Sequence, residues 1–345
     1  MKPLSQLIRI IFLLLVVIPQ ETLGETSLLF QSDETLVLTL KMDVRAVTCD
    51  VGDKREEHTA EISYLSEEGK NIIIPVEVRT RGHFRRDPAN CDFPPLRLNF
   101  SEEATKNSIF EGQDKLKLLT HCRTRGSKYE QNVLKEYLVY LLYNLFTPES
   151  YKVRLAELTY VDSEGKKDTL RKMGFFIEPT KQVAKRNSGE LLNIKNVQQN
   201  QCDPFKTNVM SIFQYMVGNT DWSVPAGHNI DLLRYELTDP PIAVPYDFDW
   251  CGLVNSPYAV PNEMLGIDNV KTRLFRGYCQ TEDEFQRAFQ EFRDREEQIY
   301  KTIDSVPDLE EREREKIIRY IEQFFEVLHN PKHARREFLE SCRTN

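Results

Sequence analysis

Residues 133–177 read VLKEYLVYLLYNLFTPESYKVRLAELTYVDSEGKKDTLRKMGFFI, a helical pattern followed directly by a β-hairpin pattern. Apolar side chains recur every three or four residues in the first part, which predicts a helix with one buried face. The runs 153–161 and 169–177 then alternate apolar and polar residues, and a polar turn containing Gly165 joins them. A helix set among hairpin strands indicates an α+β fold.

Strand patterns also dominate the chain before this helix. Alternation predicts strands over 34–42, 61–65, 71–80, 95–100 and 115–120, of which the second and third form a hairpin. The N-terminal half is therefore predicted to be β-rich.

The remainder of the chain becomes progressively more helical. The elements predicted there are a helix with an apolar face over 209–217, strands over 230–237 and 242–248, and charge-rich helices after Thr281. We therefore divide the mature chain into two lobes. Residues 25–180 form a β-rich lobe with one long helix, and residues 181–345 form a lobe with a catalytic or metal-binding loop and terminal helices.

Composition excludes several classes of protein. The chain has 345 residues, of which 40% are hydrophobic and 29% are charged, as in a globular protein. Lysine and arginine number 46 and aspartate and glutamate 54, so the formal net charge is −8. A protein that binds nucleic acid by neutralising phosphates needs the opposite sign. We therefore expect no nucleic-acid partner.

Residues 1–24 have the pattern of a signal peptide. Lys2 and Arg9 precede an uninterrupted apolar run over 10–18, and residues 22–24 read TLG, which suits a signal peptidase. The run is much shorter than the roughly 20 residues that span a bilayer, and no later stretch is long enough either. We expect cleavage and no membrane span afterwards, with the protein secreted or held in the periplasm or cell envelope.

The seven cysteines all lie in the mature part of the chain, and none are spaced as Cys-x-x-Cys. The absence of this motif argues against a zinc site. An exported protein can keep disulfides, and an odd number leaves at least one free thiol. One to three disulfides, or several buried unpaired cysteines, both remain open.

Four polar residues between 218 and 250 have the types and order that phosphoryl transfer requires. That reaction needs a carboxylate that orients the attacking hydroxyl, and oxygen ligands for the metal ion on the phosphates. Asp221, Asn229 and Asp247 or Asp249 can supply this set. Protein kinases use the same order, but Asp221 and Asn229 are eight residues apart instead of five. The segment is therefore not an ordinary eukaryotic-type catalytic loop.

Several short blocks elsewhere complete the pattern. They are Arg81-Gly82, PLRLNF at 95–100, KLKLL at 115–119 ahead of the long helix, GFFIE at 174–178, GNTD at 218–221, Asn229 and PYDFD at 245–249. In this order, the blocks resemble the CotH-type (spore-coat protein H) family of secreted atypical protein kinases, over most of the mature chain. The resemblance implies an atypical protein-kinase-like fold that binds ATP with Mg²⁺ or Mn²⁺ and phosphorylates Ser or Thr in exported proteins.

Carried over residue by residue, the resemblance assigns roles within the site. Asp221 corresponds to the catalytic carboxylate, Asn229 to a metal ligand, and Asp247 or Asp249 to the metal-binding carboxylate. Residues two apart on a strand point to the same face, so Asp247 and Asp249 can converge on one metal while Phe248 packs behind them.

The cation that positions the phosphates departs from the family pattern. His83-Phe84 follows Gly82 where the family has Asn-Ser, and Pro94-Pro95 stands where the family lysine precedes the strand. The candidate substitutes are Arg81, Arg97 and Lys117, or the wider cluster of Arg79, Arg81, Arg85 and Arg86, because a guanidinium binds phosphate oxygens in pairs. Glu178 is a candidate nucleotide-site residue, or only the end of the hairpin.

Other functions also fit these residues. The missing lysine favours a non-catalytic kinase-like envelope or surface protein that binds a glycan or a protein partner. A metal-dependent hydrolase is disfavoured because no histidine ligand set accompanies the carboxylates. Asp247 and Asp249 alone also fit a structural calcium site or caps for nearby backbone amides.

Overall fold

The computed structural model describes Gly24 and residues 26–344. The predicted signal peptide therefore lies outside the described residues, except for its last position. The strands are β1 Leu36–Met42, β2 His58–Leu65, β3 Asn71–Thr80, β4 Leu96–Asn99, β5 Lys115–Leu119, β6 Val153–Asp162, β7 Leu170–Ile177, β8 Glu190–Leu191, β9 Ile230–Arg234 and β10 Ile242–Pro245. The predicted strands are confirmed, but those predicted over 230–237 and 242–248 end three residues earlier, at Arg234 and Pro245.

Eight α-helices are present in the described part of the chain. They are α1 Val44–Cys49, α2 Glu102–Thr105, α3 Lys128–Asn144, α4 Thr180–Arg186, α5 Pro204–Val217, α6 Glu282–Ser305, α7 Glu311–His329 and α8 Pro331–Ala334. Single turns of 3₁₀ or π type lie at Leu28–Phe30, Gln199–Gln201, Glu263–Leu265 and Arg335–Leu339.

Strands β1 to β7 close into a barrel in the order β1-β2-β3-β4-β5-β7-β6. All neighbours pair antiparallel except β1 and β6, which run parallel from the pair Leu36 and Ala156 to the pair Met42 and Asp162. Alternate residues of each strand face inward, so the barrel is filled by apolar side chains, as a barrel of this size requires. The inward residues of β1, for example, are Leu36, Leu38, Leu40 and Met42.

The closed barrel overturns the predicted fold. We expected an α+β chain with an atypical protein-kinase-like arrangement, a β-rich lobe over a helical lobe, and that prediction is wrong. The chain instead has a closed, mixed seven-stranded barrel, with helices concentrated in the C-terminal region. The physical reason is the parallel pairing of β1 with β6, which joins the two ends of the sheet. Alternation within a strand sets its buried face but does not say which distant strand lies beside it. The lobe boundary at residue 180 stays a prediction.

Helix α3 is enclosed on nearly all sides, whereas its sequence predicted one buried face. It packs on β6 and β7 of the barrel and on α6. Polar side chains are therefore buried along it as well as leucines, among them Asn132, Lys135 and Glu136. The sequence of α3 could not predict this, because the second layer comes from α6, which is distant along the chain.

A second apolar core lies outside the barrel. It joins α3 and the outer faces of β6 and β7 to α5, α6 and α7. A small antiparallel sheet in the order β10-β9-β8 borders it. Disulfides join Cys91 to Cys122 and Cys279 to Cys342. In the part of the chain that the structure describes, no helix is both long and apolar enough to cross a membrane.

Candidate functional site

The segment that carries Asp221 follows directly from helix α5. Asp203 caps the start of α5 and accepts a hydrogen bond from the Lys206 backbone N–H at 2.8 Å. The helix ends at Gly218, whose φ of 66° is left-handed. A Cβ at Gly218 would meet the Tyr320 hydroxyl, so a glycine suits both the turn and the close approach.

The side chain of Asn219 fixes the backbone of Asp221. Its amide donates to Gln214 Oε1 at 3.0 Å, and its Oδ1 accepts from the Asp221 N–H at 3.0 Å. Arg276 holds the segment from the other side, because its Nη1 donates to the carbonyl of Thr220 and, at 2.7 Å, to that of Trp222. No sequence pattern pointed to Arg276, which lies far downstream of the segment that it holds.

The carboxylate of Asp221 is held by two neighbours and remains 37% exposed. Its Oδ1 lies 2.9 Å from His228 Nε2, and its Oδ2 accepts from Asn229 Nδ2 at 3.0 Å. Asn229 Nδ2 also donates to the Asp221 carbonyl at 2.8 Å. The structure thus joins Asp221 to Asn229, the first two residues of the predicted set, and leaves Asn229 Oδ1 as the atom that can act as a ligand. No sequence pattern assigned His228 a role in the site.

Asn229 and Asp247 lie at the same end of the β9–β10 hairpin. Asn229 precedes β9, Asp247 follows β10, and the Tyr246 N–H donates to the Asn229 carbonyl at 3.0 Å. Both residues have a left-handed backbone, with φ of 53° and 60°. Such a backbone is costly for a side chain other than glycine and is concentrated at functional sites. Because β10 ends at Pro245, the prediction that Asp247 and Asp249 lie on a strand is wrong.

Asp247 and Asp249 nevertheless converge, and Glu136 of α3 joins them. One carboxylate oxygen from each lies within 4.8 Å of the others. Phe248 is fully buried behind them and stacks edge-on against Tyr140. We call Glu136, Asp247 and Asp249 the acidic triad. Sequence reasoning missed Glu136, and the only available signal was a charged residue within a strongly apolar helix.

Arg85 contacts every member of the acidic triad. Its Nη1 lies 3.3 Å from Glu136, its Nη2 3.5 Å from Asp247 and its Nε 3.4 Å from Asp249. When all three carboxylates are ionised, they outnumber the guanidinium that contacts them. Oxygen ligands with a net negative charge suit a hard divalent cation. In addition, Glu136 Oε1 is buried without a hydrogen-bond partner among the described residues, so the triad has a donor atom to spare. The residues therefore fit Mg²⁺ or Mn²⁺.

Burial controls the ionisation of this group. It raises the pKa of Asp249 to about 6, although Arg85 opposes that shift. Burial likewise holds the pKa of Glu136 well above its usual value, again against Arg85. For Arg85, burial lowers the pKa, but the neighbouring Asp249, Tyr258 and Glu136 outweigh it and the net shift is upward. The arginine stays charged and the carboxylates are costly to ionise, so an added cation at the triad would be favourable.

Two of the candidate cations lie beside the triad. Burial lowers the pKa of Arg81 while Asp247 raises it, and burial and the charge of Arg81 both lower the pKa of Lys117. Lys117 lies over the ring of Tyr246, with 5.4 Å from Nζ to the ring centroid. Neither side chain has an ion pair or a side-chain hydrogen bond within residues 26–344. Their charge is therefore available to an anionic ligand.

The remaining candidate residues for the nucleotide site, Arg97 and Glu178, already form ion pairs within the protein. Arg97 lies 2.8 Å from Glu57, which it shares with Arg79. Glu178 is buried and binds Arg186 through both of its carboxylate oxygens, at 3.0 and 2.9 Å. Arg97 is the cross-strand partner of Lys117, so the two side chains lie on the same face of the barrel. Glu178, in contrast, connects the end of β7 to α4 through its contact with Arg186.

A cavity of about 330 Å³ opens beside Asp221. Thr220, Trp250, Pro261 and Val270 are among its lining residues. This volume lies at the small end of the range for ligand pockets. The exposed edge of Asp221 thus meets a space that can admit a hydroxyl-bearing group.

Comparison with known proteins does not identify a function, so the function must be argued from the residues of the site. No protein-family model matches the chain, and no curated protein matches it significantly.

Proposed function

We propose that this chain is an exported, metal-dependent phosphotransferase that moves a phosphate from ATP to a Ser or Thr hydroxyl of an exported protein. One observation carries the proposal. Asp221 is hydrogen-bonded to Asn229 and His228, and Asn229 is joined to Tyr246, which is next to Asp247 of the acidic triad. The triad lies beside Arg81 and Lys117, which form no ion pair within residues 26–344. A carboxylate, a metal-ligand set and phosphate-binding cations are the parts that phosphoryl transfer requires.

The proposed roles follow from what each residue contacts. Asp221 orients the acceptor hydroxyl and accepts its proton, and the hydrogen bonds from Asn229 and His228 fix the orientation of its carboxylate. Lys117 and Arg81 bind phosphate oxygens. A divalent ion held by the acidic triad would neutralise charge on the phosphates. We propose no role in transfer for Glu178 or Arg97, because both are engaged elsewhere.

The resemblance to the CotH-type kinases remains a proposal. It rests on the order of the sequence blocks, and the closed barrel does not support the fold that it implies. Export also remains a proposal, because it rests on the signal-peptide pattern in residues 1–24. The two disulfides are compatible with an oxidising compartment.

Two measurements test the proposal. The first is the thermal shift of residues 25–345 with ATP and Mn²⁺ or Mg²⁺, since a ligand of the folded state raises its stability. We expect a metal-dependent increase that Asp247→Ala and Asp249→Ala abolish. The second is transfer of radiolabelled phosphate from ATP to the chain itself or to dephosphorylated casein.

Asp221→Asn is the decisive variant for transfer. Loss of a residue that acts only in the chemical step should reduce the rate by at least about 100-fold and leave the thermal shift with ATP and metal intact. Asp168→Asn is the matched control, because Asp168 is exposed and distant in sequence from the site. Absence of both transfer and thermal shift at millimolar ATP would exclude an ATP-dependent function.

One observation favours a second function. Arg85 already neutralises part of the acidic triad, in the manner of a structural ion-pair network. This is what a non-catalytic surface protein would need if it kept the site only as a scaffold for binding a glycan or a protein. Binding of ATP and metal without any transfer, unchanged by Asp221→Asn, would support that function.

A further inference from the structure

A second cleft, of about 630 Å³, lies away from Asp221 and the acidic triad. It is bounded by the start of α3, the segment 252–255 and one face of α7, and no triad residue lines it. Its volume is typical of a binding site. The proposed phosphotransferase function makes no use of it.

The lining of this cleft, here called the basic cleft, is strongly cationic. Glu310 and Glu313 are the acidic residues in it. The basic residues are Lys128, Lys135, Lys271, Arg312, Lys316 and Arg319. The whole chain has a net charge of −8, so this concentration of positive charge runs against the overall composition. Patches of one sign in a concave surface attract ligands of the opposite sign.

The acidic residues neutralise only part of this charge. Lys135 and Lys316 both pair with Glu313. Arg319 pairs with Glu315, one turn earlier on the same helix, at 3.4 Å. These pairs leave half of the basic residues without a partner among the residues described.

The unpaired cations are Lys128, Lys271 and Arg312. All three are exposed, and none forms an ion pair with any residue that the structure describes. They come from three different parts of the chain, and the fold brings them to one cleft. An anionic ligand can therefore bind there without displacing an internal ion pair.

The shape of the basic cleft favours an elongated ligand. Arg312, Lys316 and Arg319 follow i, i+4, i+7 spacing, so they form a stripe of about 10 Å on one face of α7. The lining continues along α7 as far as Gln323, about 18 Å from the start of the helix. About six residues of extended chain span that length.

Apolar side chains also line the basic cleft. They are Leu253 and Ile317, which are 5% and 2% exposed. A lining that combines cationic and apolar side chains suits a peptide that carries both acidic and apolar side chains. A compact inorganic phosphate would use the cationic side chains alone.

We propose that the basic cleft binds an acidic peptide segment of a partner protein, with carboxylates on the cationic side chains and an apolar side chain against Leu253 and Ile317. This goes beyond the proposed phosphotransferase function and does not depend on it. If both hold, the cleft provides docking for a protein substrate.

Fluorescence anisotropy tests the proposal with a fluorescein-labelled peptide of sequence EDLEDLED and residues 25–345 of the chain. The test variant carries Lys128→Glu, Lys271→Glu and Arg312→Glu. The control carries Lys41→Glu, Lys54→Glu and Lys167→Glu, three exposed lysines in the barrel half, and so changes the net charge equally. We expect at least about tenfold weaker binding by the test variant, less than about threefold by the control, and weaker binding at higher salt.

Further arms separate the alternatives. Circular dichroism checks that the triple variant folds. If it does not fold, the single change Arg312→Gln at an exposed position replaces it, and we expect this change to weaken binding about twofold to threefold. A peptide with serine in place of both leucines should bind at least about threefold more weakly. Equal weakening in test and control variants would overturn the proposal. Absence of peptide binding would also overturn it. A parallel titration with tripolyphosphate identifies one such case: if tripolyphosphate binds the wild type but not the test variant, and the peptide binds neither, the cleft is a phosphate site and not a peptide site.

Discussion

The interior of the barrel and the site beside it bury opposite kinds of side chain. Within the barrel, alternate residues of seven strands present apolar side chains to one another. At the site, the ionisable side chains of Glu136, Asp249 and Arg85 are only 1%, 5% and 8% exposed. The barrel gains stability from burial, whereas the site must offset the cost of burying charges through their mutual contacts. The comparison distinguishes the barrel, which apolar burial stabilises, from the candidate site, where ionisable groups are buried together.

The two regions should therefore respond differently to loss of one side chain. Removing an apolar side chain leaves a cavity, and the cost is limited by its size. Removing one member of an ion cluster leaves charges that remain buried without compensation, and the cost is set by electrostatics.

Arg85→Met should have the largest effect. It leaves the acidic triad without its guanidinium, and we expect a loss of about 3–5 kcal/mol in the free energy of unfolding, measured by urea titration at pH 7. Mn²⁺ should then stabilise this variant more than the wild type, because a cation can replace the lost charge.

Arg86→Met is the matched control for Arg85→Met. Arg86 pairs with Asp53, which is 99% exposed, so the loss should stay within about 1 kcal/mol. If both variants lose the same stability, the triad is not an electrostatic unit and the contrast with the barrel fails.

Leu98→Ala should have the next largest effect. Leu98 on β4 is fully buried inside the barrel, and its truncation should cost about 3 kcal/mol in urea titration. Unlike the Arg85 variant, it should show no extra response to Mn²⁺. Val37→Ala on the outer face of β1, where Val37 is exposed, should cost less than about 0.5 kcal/mol. An Mn²⁺ response in Leu98→Ala as large as that of Arg85→Met would contradict the separation of the two regions.

His121 is the ionisable residue that sharpens the comparison. It is fully buried against the rings of Phe93 and Tyr160, and both of its ring nitrogens lack a hydrogen-bond partner among the described residues. Burial, with a smaller contribution from Lys172, lowers its pKa to about 3. In the unfolded chain the His121 imidazole therefore takes up a proton below about pH 6.5, whereas in the folded chain it stays neutral down to about pH 3.

The stability that His121 contributes is thus complete above about pH 6.5 and is lost as the pH falls. Between pH 7 and pH 5 the loss should be about 2 kcal/mol. His121→Leu should remove this part of the pH dependence in urea titrations, because leucine has no proton to bind and no hydrogen bond is lost. His83→Leu, at an exposed position, serves as control. An unchanged slope in His121→Leu would show that the pKa of His121 is the same in the folded and unfolded chains.

Prediction from the sequence succeeded where the information is local. The alternation in β1 and the helical spacing in α3 set those elements. Within the segment 221–249, Asp221 contacts Asn229, and Asp247 lies close to Asp249. Closure of the barrel depends on β1 meeting β6, which is separated from it by four other strands and α3. The contributions of Glu136 and Arg276 to the site were missed for the same reason, since each reaches it from a distant segment. Arg85 was named only as one of a cluster of possible phosphate-binding arginines, and its contact with the acidic triad was not predicted. Contacts of that kind are set by packing and leave no periodic pattern.

The smallest expected effect concerns the cap of α5, the helix that leads to Asp221. Asp203→Ala removes the hydrogen bond to the Lys206 N–H and should cost about 1 kcal/mol, as should Thr281→Ala at the start of α6. Fraying at an N-terminus stays close to that end, and the far end of α5 is held separately by Asn219 and Gln214. Both variants should therefore keep the wild-type thermal shift with ATP and Mn²⁺. A reduced shift in Asp203→Ala alone would mean that the site depends on the whole of α5, and that function is less separate from stability than the barrel and the triad imply.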